Sequence, residues 1–365
     1  MDGIDPQVLL PVLGLGAGAV LGYTARINRF CTLSALERHW YAGDSRGLRT
    51  WVLAATVALI ASQAASFLGY ADLSQSFYLD PDFGLTGAVL GGLMFGFGMA
   101  LVGTCGFGAV IRLGGGSLRS AVVLIVLGLA ALTAQRGLLA PLRILIVDDL
   151  ALDLSAAGDQ SLGGLVSAGL GFSVGPLVAA ATALAMLGWI FSDRSYRRAF
   201  PEMATGTLIG LSVSFGWIAT TWAARHAFGP VQIEAASFVV PVGDTLLQFI
   251  TYTGTLPDYG VGLIAGTLMG AGIGAWRKKD ARWEACDDAR ELGRHFMGAS
   301  LMGVGGVFAM GCTIGQGISA VSTLAISAPI VFFSIVIGAR LGLAWLIEGS
   351  VRALIPGLNR SHPAE

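Results

Sequence analysis

Charged residues are scarce in this sequence: aspartate, glutamate, lysine and arginine together make up 12% of the 365 residues. Hydrophobic residues make up 54%, and the mean hydropathy is +0.72. A soluble chain of this length would fold into two or three domains with charged surfaces, so the shortage of charge excludes that class of protein. The composition predicts an all-α polytopic membrane protein, for which the lipid bilayer is the main partner.

Cysteine is also rare, and its spacing excludes the usual metal and redox motifs. The four cysteines stand at positions 31, 105, 286 and 312, so the chain has no CxxC pair and no zinc-site spacing. The stretch Gly114, Gly115, Gly116 lacks the lysine and the preceding strand of a phosphate-binding P-loop. We therefore expect no metal ion or other cofactor, no ATP site, no catalytic residues and no nucleic-acid partner.

Nine apolar segments are predicted to cross a bilayer, on the basis that a spanning helix takes about 20 mostly apolar residues. Their predicted limits are 8–25, 50–70, 85–103, 118–138, 165–191, 203–223, 258–276, 296–310 and 325–347. Four further apolar segments, residues 30–41, 106–116, 238–255 and 313–323, are too short to cross. Irregular backbone at membrane depth is tolerated only where it is buried in protein or lines a wet cavity. We predict that these four segments are re-entrant half-helices.

Positive residues alternate between the loops that join the predicted spans. The loops after spans 1, 3, 5 and 7 are the basic ones, whereas acidic residues prevail in the loops after spans 2, 4 and 6. Because positive loops stay in the cytoplasm, we predict a multi-pass protein of the cell inner membrane with its amino terminus outside and its carboxyl terminus inside. The first residues are acidic and lack the positive region of a signal peptide, so the first apolar segment is expected to remain as a span.

A pattern of glycines around a cysteine occurs twice in the chain. Placing Cys105 on Cys312 also places Gly91, Gly96, Gly98 and Gly108 on Gly298, Gly303, Gly305 and Gly315. In the predicted topology span 3 runs inward to the first cysteine and span 8 runs outward to the second. We therefore predict two inverted-topology repeats, residues 1–160 (spans 1–4) and 201–365 (spans 6–9), joined by span 5 within residues 161–200. Inverted repeats built on broken helices are typical of transporters.

Three cysteines, Cys31, Cys105 and Cys312, share one setting: each follows a predicted span and precedes a predicted half-helix. A half-helix that starts there directs its N–H groups and the positive end of its dipole to the space beside the thiol, which suits an anion. In apolar surroundings a thiol stays protonated, so it can meet an anion without repelling it. A single buried cysteine is more often a small packing residue, but three in equivalent settings favour a functional role.

Neighbours of these cysteines are further candidates. Thr104, Thr313 and Gln316 are neutral donors that could complete an anion site or satisfy local backbone groups instead. Arg29 stands near the cytoplasmic cysteines, where it could attract an anion leaving inward or serve only as a positive-inside residue. Cys286 lies in the charged loop after span 7, which we expect to be solvated, with docking of a soluble partner as the alternative.

The cysteine motifs together resemble a known family. They are Asn28-Arg29-Phe30-Cys31, then Gly103-Thr104-Cys105-Gly106-Phe107-Gly108, then Met310-Gly311-Cys312-Thr313-Ile314-Gly315-Gln316-Gly317. In combination they resemble the YeeE/YedE sulfur-transport family, whose characterised members take up thiosulfate. The resemblance implies two inverted halves and a central path along which thiols hand thiosulfate inward through S–H to sulfur hydrogen bonds. It also implies that Cys312 lies at the outer entrance, with Cys31 and Cys105 deeper or nearer the cytoplasm.

The predicted function is inner-membrane uptake of thiosulfate or a similar small sulfur-containing anion, by a protein that is not an enzyme. A cytoplasmic sulfurtransferase that consumes the product is a possible partner. The alternatives are a transporter of a selenium or other sulfur compound, an ungated pore, and a membrane thiol or persulfide enzyme. The enzyme would need two cysteines whose Cα atoms lie within about 7 Å. Because the predicted topology puts Cys312 across the membrane from Cys31 and Cys105, it leaves only the latter two as a pair.

Overall fold

The computed structural model of the protein describes residues 6–155, 158–171, 174–227, 229–251, 257–286 and 288–348. These residues form a mostly helical bundle, in agreement with the predicted all-α class. The α-helices are α1 Pro6–Asn28, α2 Thr32–Ala42, α3 Arg46–Phe67, α4 Leu85–Val102, α5 Gly106–Gly114, α6 Leu118–Arg136, α7 Ala140–Arg143, α8 Leu162–Leu170, α9 Gly175–Phe191, α10 Phe200–His226, α11 Val240–Ile250, α12 Tyr259–Lys278, α13 Ala289–Phe308 and α14 Ser327–Glu348. The remaining elements are the 3-10 helices Leu73–Gln75, Phe77–Leu79 and Tyr196–Arg198, the π-helices Ile144–Asp148 and Gly315–Ala320, and the antiparallel strands β1 Asp82–Phe83 and β2 Leu152–Asp153.

Seven helical segments within the described ranges are long and apolar enough to cross a membrane. They are Val8–Ala42, Arg46–Phe67, Leu85–Gly114, Leu118–Arg136, Phe200–His226, Tyr259–Lys278 and Ser327–Ile347. Predicted span 5 is instead divided between α8 and α9, and α9 has 17 residues. Predicted span 8 corresponds to α13, whose first turns carry charged residues. These two regions therefore differ from the seven in length or in polarity.

Each of the four predicted re-entrant segments contains a short helix. These are α2, α5, α11 and a helix over residues 313–322 whose centre has π geometry. Three of them follow a residue in the left-handed region: the φ angle is 53° at Arg29, 77° at Gly103 and 53° at Met310. A left-handed residue ends a helix and turns the chain away from the helix axis. The long helices α1, α4 and α13 are thus broken before the short helices begin.

Glycines allow α1 and α12 to pack with their backbones in contact. A Cβ atom on Gly262, Gly266 or Gly270 of α12 would lie 2.0 to 2.1 Å from a backbone oxygen of α1. A Cβ atom on Gly18 or Gly22 of α1 would lie 2.1 to 2.2 Å from a backbone oxygen of α12. Small residues spaced by four positions are the usual means of close helix packing in membranes.

The broken helices meet in the interior of the bundle. Helix α4 packs against both α13 and α14, and α13 packs in addition against α6. Helices α4 and α13 are the ones that end just before Cys105 and Cys312, and both cysteines are fully buried. The packing of α4 on α13 therefore brings the two cysteine motifs into the same region.

Candidate functional site

Cys312 is surrounded by hydrogen-bond donors at the start of the helix over residues 313–322. Its Sγ atom accepts a hydrogen bond from the N–H of Gly315 at 3.4 Å. The sulfur also lies beside the N–H groups of Ile314 and Phe238 and the hydroxyl of Ser237. N–H groups that converge at the start of a helix form a favourable environment for an anion. The space around this thiol is therefore suited to a negatively charged ligand.

Cys105 has the equivalent position at the start of α5, where it is the N-cap residue with an extended backbone. Its thiol lies beside the N–H of Gly108 and close to the hydroxyl of Thr313. It is also near enough to Cys31 and Cys312 to interact electrostatically with both of them. Cys105 is therefore the middle one of three neighbouring thiols, which we call the thiol row.

The thiol row corrects one expectation from the predicted topology, which puts Cys312 across the membrane from Cys105. Both residues stand at breaks of long helices, and the packing of α4 on α13 places these breaks together. Thr313, which directly follows Cys312, consequently reaches the Cys105 thiol. The positions of the breaks follow from local glycines and cysteines, but the depth of a break depends on how the long helices pack.

A cavity of about 340 Å³ opens beside Cys31, and we call it the inner cavity. The residues that define its character are Arg26, Arg29, Cys31, Arg38, Thr104 and Arg112, together with Asp280. Asp280 forms an ion pair with Arg26 at 2.9 Å, whereas Arg29, Arg38 and Arg112 are exposed. The inner cavity is therefore strongly basic and ends at the first thiol of the row.

A second cavity, of about 450 Å³, lies beside the turn that precedes Cys312, and we call it the outer cavity. Ser237, Met310 and Gly311 contribute to its lining. Its charged residues are Arg136, Arg143, Glu234, Asp244 and Asp258. Asp244 pairs with Arg136 at 3.6 Å, and Arg143 pairs with Asp148 at 3.2 Å. The outer cavity thus carries charge of both signs, in contrast to the inner cavity.

Three buried hydroxyls next to the thiol row form no hydrogen bond of normal geometry with other residues in the described part of the chain, and we call them unpartnered. They belong to Thr104, Thr313 and Tyr78. Thr104 adjoins the inner cavity, and Thr313 approaches the Cys105 thiol without a hydrogen bond of normal geometry. Tyr78 lies near Cys312, and its hydroxyl approaches the hydroxyl of Ser237 without a hydrogen bond of normal geometry. Because buried polar groups are nearly always hydrogen-bonded, three hydroxyls without a well-formed bond along one row are donors that a polar ligand can engage.

Gln316 and Arg29, the other predicted site residues, lie at the two ends of the site. Gln316 is fully buried, and its amide nitrogen donates to the carbonyl oxygens of Ala309 at 2.8 Å and Met310 at 3.3 Å. Gln316 therefore satisfies carbonyl groups at the end of α13. This is the second of the two roles predicted for it, the bonding of local backbone groups. Arg29 is exposed and lines the inner cavity beside Cys31.

Tyr78, Ser237 and Phe238 belong to the site but were not predicted from the sequence. Tyr78 lies in the loop between α3 and α4, where no local pattern distinguishes it from other aromatic residues. Ser237 and Phe238 stand one residue away from the start of α11, in the same way that Arg29 and Phe30 stand one residue away from the start of α2. This shared position before a short helix was the signal that could have identified them.

No metal centre is formed by the described residues, because no group of three histidine, cysteine or acidic side chains there is close enough together to hold an ion. All four cysteines lie in described ranges and are free thiols. The site therefore consists of uncombined thiols, hydroxyls and backbone N–H groups between two water-accessible cavities. Such groups can bind and release an anion by hydrogen bonding alone.

The sequence of this chain is similar to those of known proteins. A family model described as sulphur transport matches residues 28–341. The thiosulfate transporter TsuA of Spirochaeta thermophila is 24% identical over 342 residues, which cover 92% of this chain and 98% of that protein. The thiosulfate transporter TsuA of Escherichia coli strain K12 is 24% identical over 326 residues, which cover 84% of this chain and 86% of that protein. The family match includes all three cysteine motifs and confirms the resemblance noted from them: the chain belongs to the sulphur transport family.

Proposed function

We propose that this protein takes up thiosulfate, or a closely similar small sulfur-containing anion, through a path lined by Cys312, Cys105 and Cys31. The observation that carries the proposal is the thiol row itself, which lies between two cavities and is accompanied by three unpartnered hydroxyls. The names of both relatives, thiosulfate transporter, support the choice of substrate. In this proposal the path binds and releases the anion without a chemical reaction.

The path has to lower the cost of moving a charged ion out of water. An unpaired ion in a low-dielectric interior is prohibitively unstable, so the donors that water supplies must be replaced at each position. Around Cys312 the N–H groups of Gly315, Ile314 and Phe238 are available for this, and around Cys105 the N–H of Gly108 and the hydroxyl of Thr313. Neutral donors bind an anion less tightly than a buried cation would. Each position can therefore pass the ion to the next.

The two cavities support inward movement of the anion. The outer cavity carries charge of both signs, whereas the inner cavity is lined by arginines, of which Arg29, Arg38 and Arg112 are exposed. A basic inner mouth attracts an anion from the thiol row toward the cytoplasm. We accordingly propose the inner membrane as the location, with the amino terminus outside and the carboxyl terminus inside. A cytoplasmic sulfurtransferase that consumes thiosulfate would keep the inner concentration low.

Helix packing supports the proposed inverted repeats. Under the proposed pairing α1 corresponds to α10, α3 to α12, α4 to α13 and α6 to α14. The contact of α1 with α12 then has its counterpart in α10 with α3, and that of α4 with α14 has its counterpart in α13 with α6. We propose residues 1–160 and 201–365 as the two halves, with nine crossings in all and the connecting span within residues 161–200.

The test is uptake of radiolabelled thiosulfate into proteoliposomes by the wild type and by Cys312→Ala, with sulfate, sulfite and selenium oxyanions as competitors. We expect saturable uptake that the variant loses and that sulfate does not block. Cys286→Ser is the matched control, because Cys286 lies outside the thiol row and should be dispensable for uptake. Full uptake by Cys312→Ala would refute the proposal that the anion passes along a path lined by these cysteines. If a selenium oxyanion or sulfite competes more strongly than unlabelled thiosulfate, that anion and not thiosulfate is the preferred substrate.

A further inference from the structure

A second cysteine environment lies outside the thiol row, in the loop after α12. The Sγ atom of Cys286 is 3.9 Å from Nδ1 of His295, and Nε2 of His295 is 4.0 Å from a carboxylate oxygen of Glu291. His295 is buried, whereas Cys286 is only half-buried and remains open to solvent. A thiol, an imidazole and a carboxylate in this order provide the nucleophile, the base and the orienting group of covalent catalysis.

The segment before Cys286 is bound to the body of the protein. The N–H groups of Arg282 and Glu284 donate to the carbonyl oxygens of the two glycines that follow α5, at 3.0 and 3.3 Å. Arg119 of α6 donates its backbone N–H to Glu284 at 3.2 Å and its guanidinium to Glu291 at 2.5 Å. The same residue thereby ties together the loop that carries Cys286 and the carboxylate that faces His295.

The cluster adjoins the inner cavity. Arg112 lines that cavity and is near enough to His295 to interact with it electrostatically. Asp280, which begins the loop that carries Cys286, also lines the cavity. In the proposed topology an anion that leaves the basic inner cavity toward the cytoplasm is therefore released on the side of the protein that carries a half-buried thiol with a base beside it. The neighbours of Cys312 described above are hydrogen-bond donors and cannot take its proton, so the two cysteine environments differ in chemistry.

We propose that Cys286 accepts the sulfane sulfur of thiosulfate at the cytoplasmic mouth, with His295 as its base and Glu291 as a positioning residue. Nδ1 of His295 takes the thiol proton, and the thiolate attacks the terminal sulfur of thiosulfate. The sulfur–sulfur bond of thiosulfate breaks, and its electron pair leaves with sulfite. The products are a persulfide on Cys286 and one sulfite ion, so atoms and charge balance without an added oxidant. The inference rests on the proposed function for its substrate.

The tautomer that this step needs follows from the surroundings of His295. Its Nε2 atom lies 4.0 Å from a carboxylate oxygen of Glu291, so the negative charge favours a proton on Nε2, and Nδ1 is then available as a base for the sulfur of Cys286, 3.9 Å away. The other charged groups that act on His295 are Arg294, Arg119 and Arg112.

The experiment uses purified full-length protein in detergent, where the cytoplasmic face is open to added thiosulfate. Released sulfite is measured, and the added sulfur atom is located by mass spectrometry of alkylated peptides. We expect one sulfite per persulfide and the persulfide on Cys286, with neither product in Cys286→Ser. His295→Gln should slow the reaction at pH 7 by about tenfold or more and should approach the wild type in alkaline buffer, where the thiol ionises without a base.

Two results would overturn the inference: a persulfide on a cysteine of the thiol row instead of Cys286, or equal rates at pH 7 for His295→Gln and the wild type. The uptake assay on the same preparations separates this inference from the proposed function. Persulfide formation by a protein that fails to take up thiosulfate would refute the transport proposal alone. Uptake at the wild-type rate with no sulfur on Cys286 would refute the persulfide step alone.

Discussion

Replacing Thr313 with valine removes one unpartnered hydroxyl and preserves the branched shape of the side chain. Thr313 is fully buried at the start of the helix over residues 313–322. A buried polar group without a partner costs about 1–3 kcal/mol, so its removal should leave the free energy of unfolding unchanged or raise it by about 1 kcal/mol. If the hydroxyl contacts the transported anion, stability and uptake should then change in opposite directions.

The expected loss of uptake follows from the strength of one hydrogen bond to a charged group. Such a bond contributes about 1.5–3 kcal/mol, and each 1.4 kcal/mol corresponds to about a factor of ten. Thr313→Val should therefore lower the uptake of radiolabelled thiosulfate, at concentrations below saturation, by about 10- to 100-fold. Uptake is measured in proteoliposomes, and the midpoint of thermal unfolding is measured on the same protein in detergent.

Thr267→Val is the matched control for this experiment. Thr267 is also fully buried, but its hydroxyl donates to the carbonyl oxygen of Leu263 at 2.7 Å. Loss of that satisfied bond should lower the free energy of unfolding by about 0.5–1.5 kcal/mol, with uptake near the wild-type rate in the protein that remains folded. A Thr313→Val protein that is less stable than the wild type and yet transports thiosulfate normally would refute the reasoning, because its hydroxyl would then be structural.

Two further predictions concern stability. Gly266→Ala should lower the thermal midpoint because its Cβ would lie 2.1 Å from the carbonyl oxygen of Leu15, and overpacking costs about 1–3 kcal/mol. Gly16→Ala is the control and should leave the midpoint unchanged, because its Cβ would meet nothing within 4 Å in the described part of the chain. An equal decrease of the midpoint in both variants would contradict the close packing of α1 on α12. A hydrogen bond from Arg46 holds the pKa of Asp44 below its ordinary value of 3.8, so this carboxylate adds stability above that value and loses it as the pH falls further. Asp44→Asn should therefore lower the thermal midpoint slightly at pH 7, by an amount that corresponds to less than about 1 kcal/mol for so exposed a pair. The difference should begin to shrink as the pH falls below about 4, and a difference that grows on acidification would argue against the assignment.

Much of the helical framework could be predicted because it depends on the composition of local segments. The predicted span over residues 85–103 agrees closely with α4, Leu85–Val102, and the predicted span over residues 203–223 lies within α10, Phe200–His226. Apolar length decides which segments enter the bilayer, and no knowledge of packing is needed for it. The limits of a span were predicted less well where a helix is longer than its apolar part. Helix α13, for example, begins with charged turns that precede its apolar part.

The breaks in the long helices were also readable from local chemistry. Gly103 has the left-handed φ angle that ends α4, and after Thr104 the chain continues with Cys105, the N-cap residue of α5. Glycine adopts that conformation without strain, so a glycine between two apolar segments indicates where the chain can turn. The family resemblance rested on these same motifs, and the family match confirmed it.

The sequence by itself determined the class of protein, most of the helices, the breaks and the cysteines that stand at them, because each follows from a property of a few neighbouring residues. Only the tertiary structure decided that Thr313 reaches the Cys105 thiol, that Tyr78 adds its hydroxyl beside Cys312, and that Gln316 serves the end of α13. It also decided that Cys286 stands beside His295. These arrangements depend on how distant helices pack, and the packing is set by the glycine contacts between backbones, whose geometry no local pattern contains.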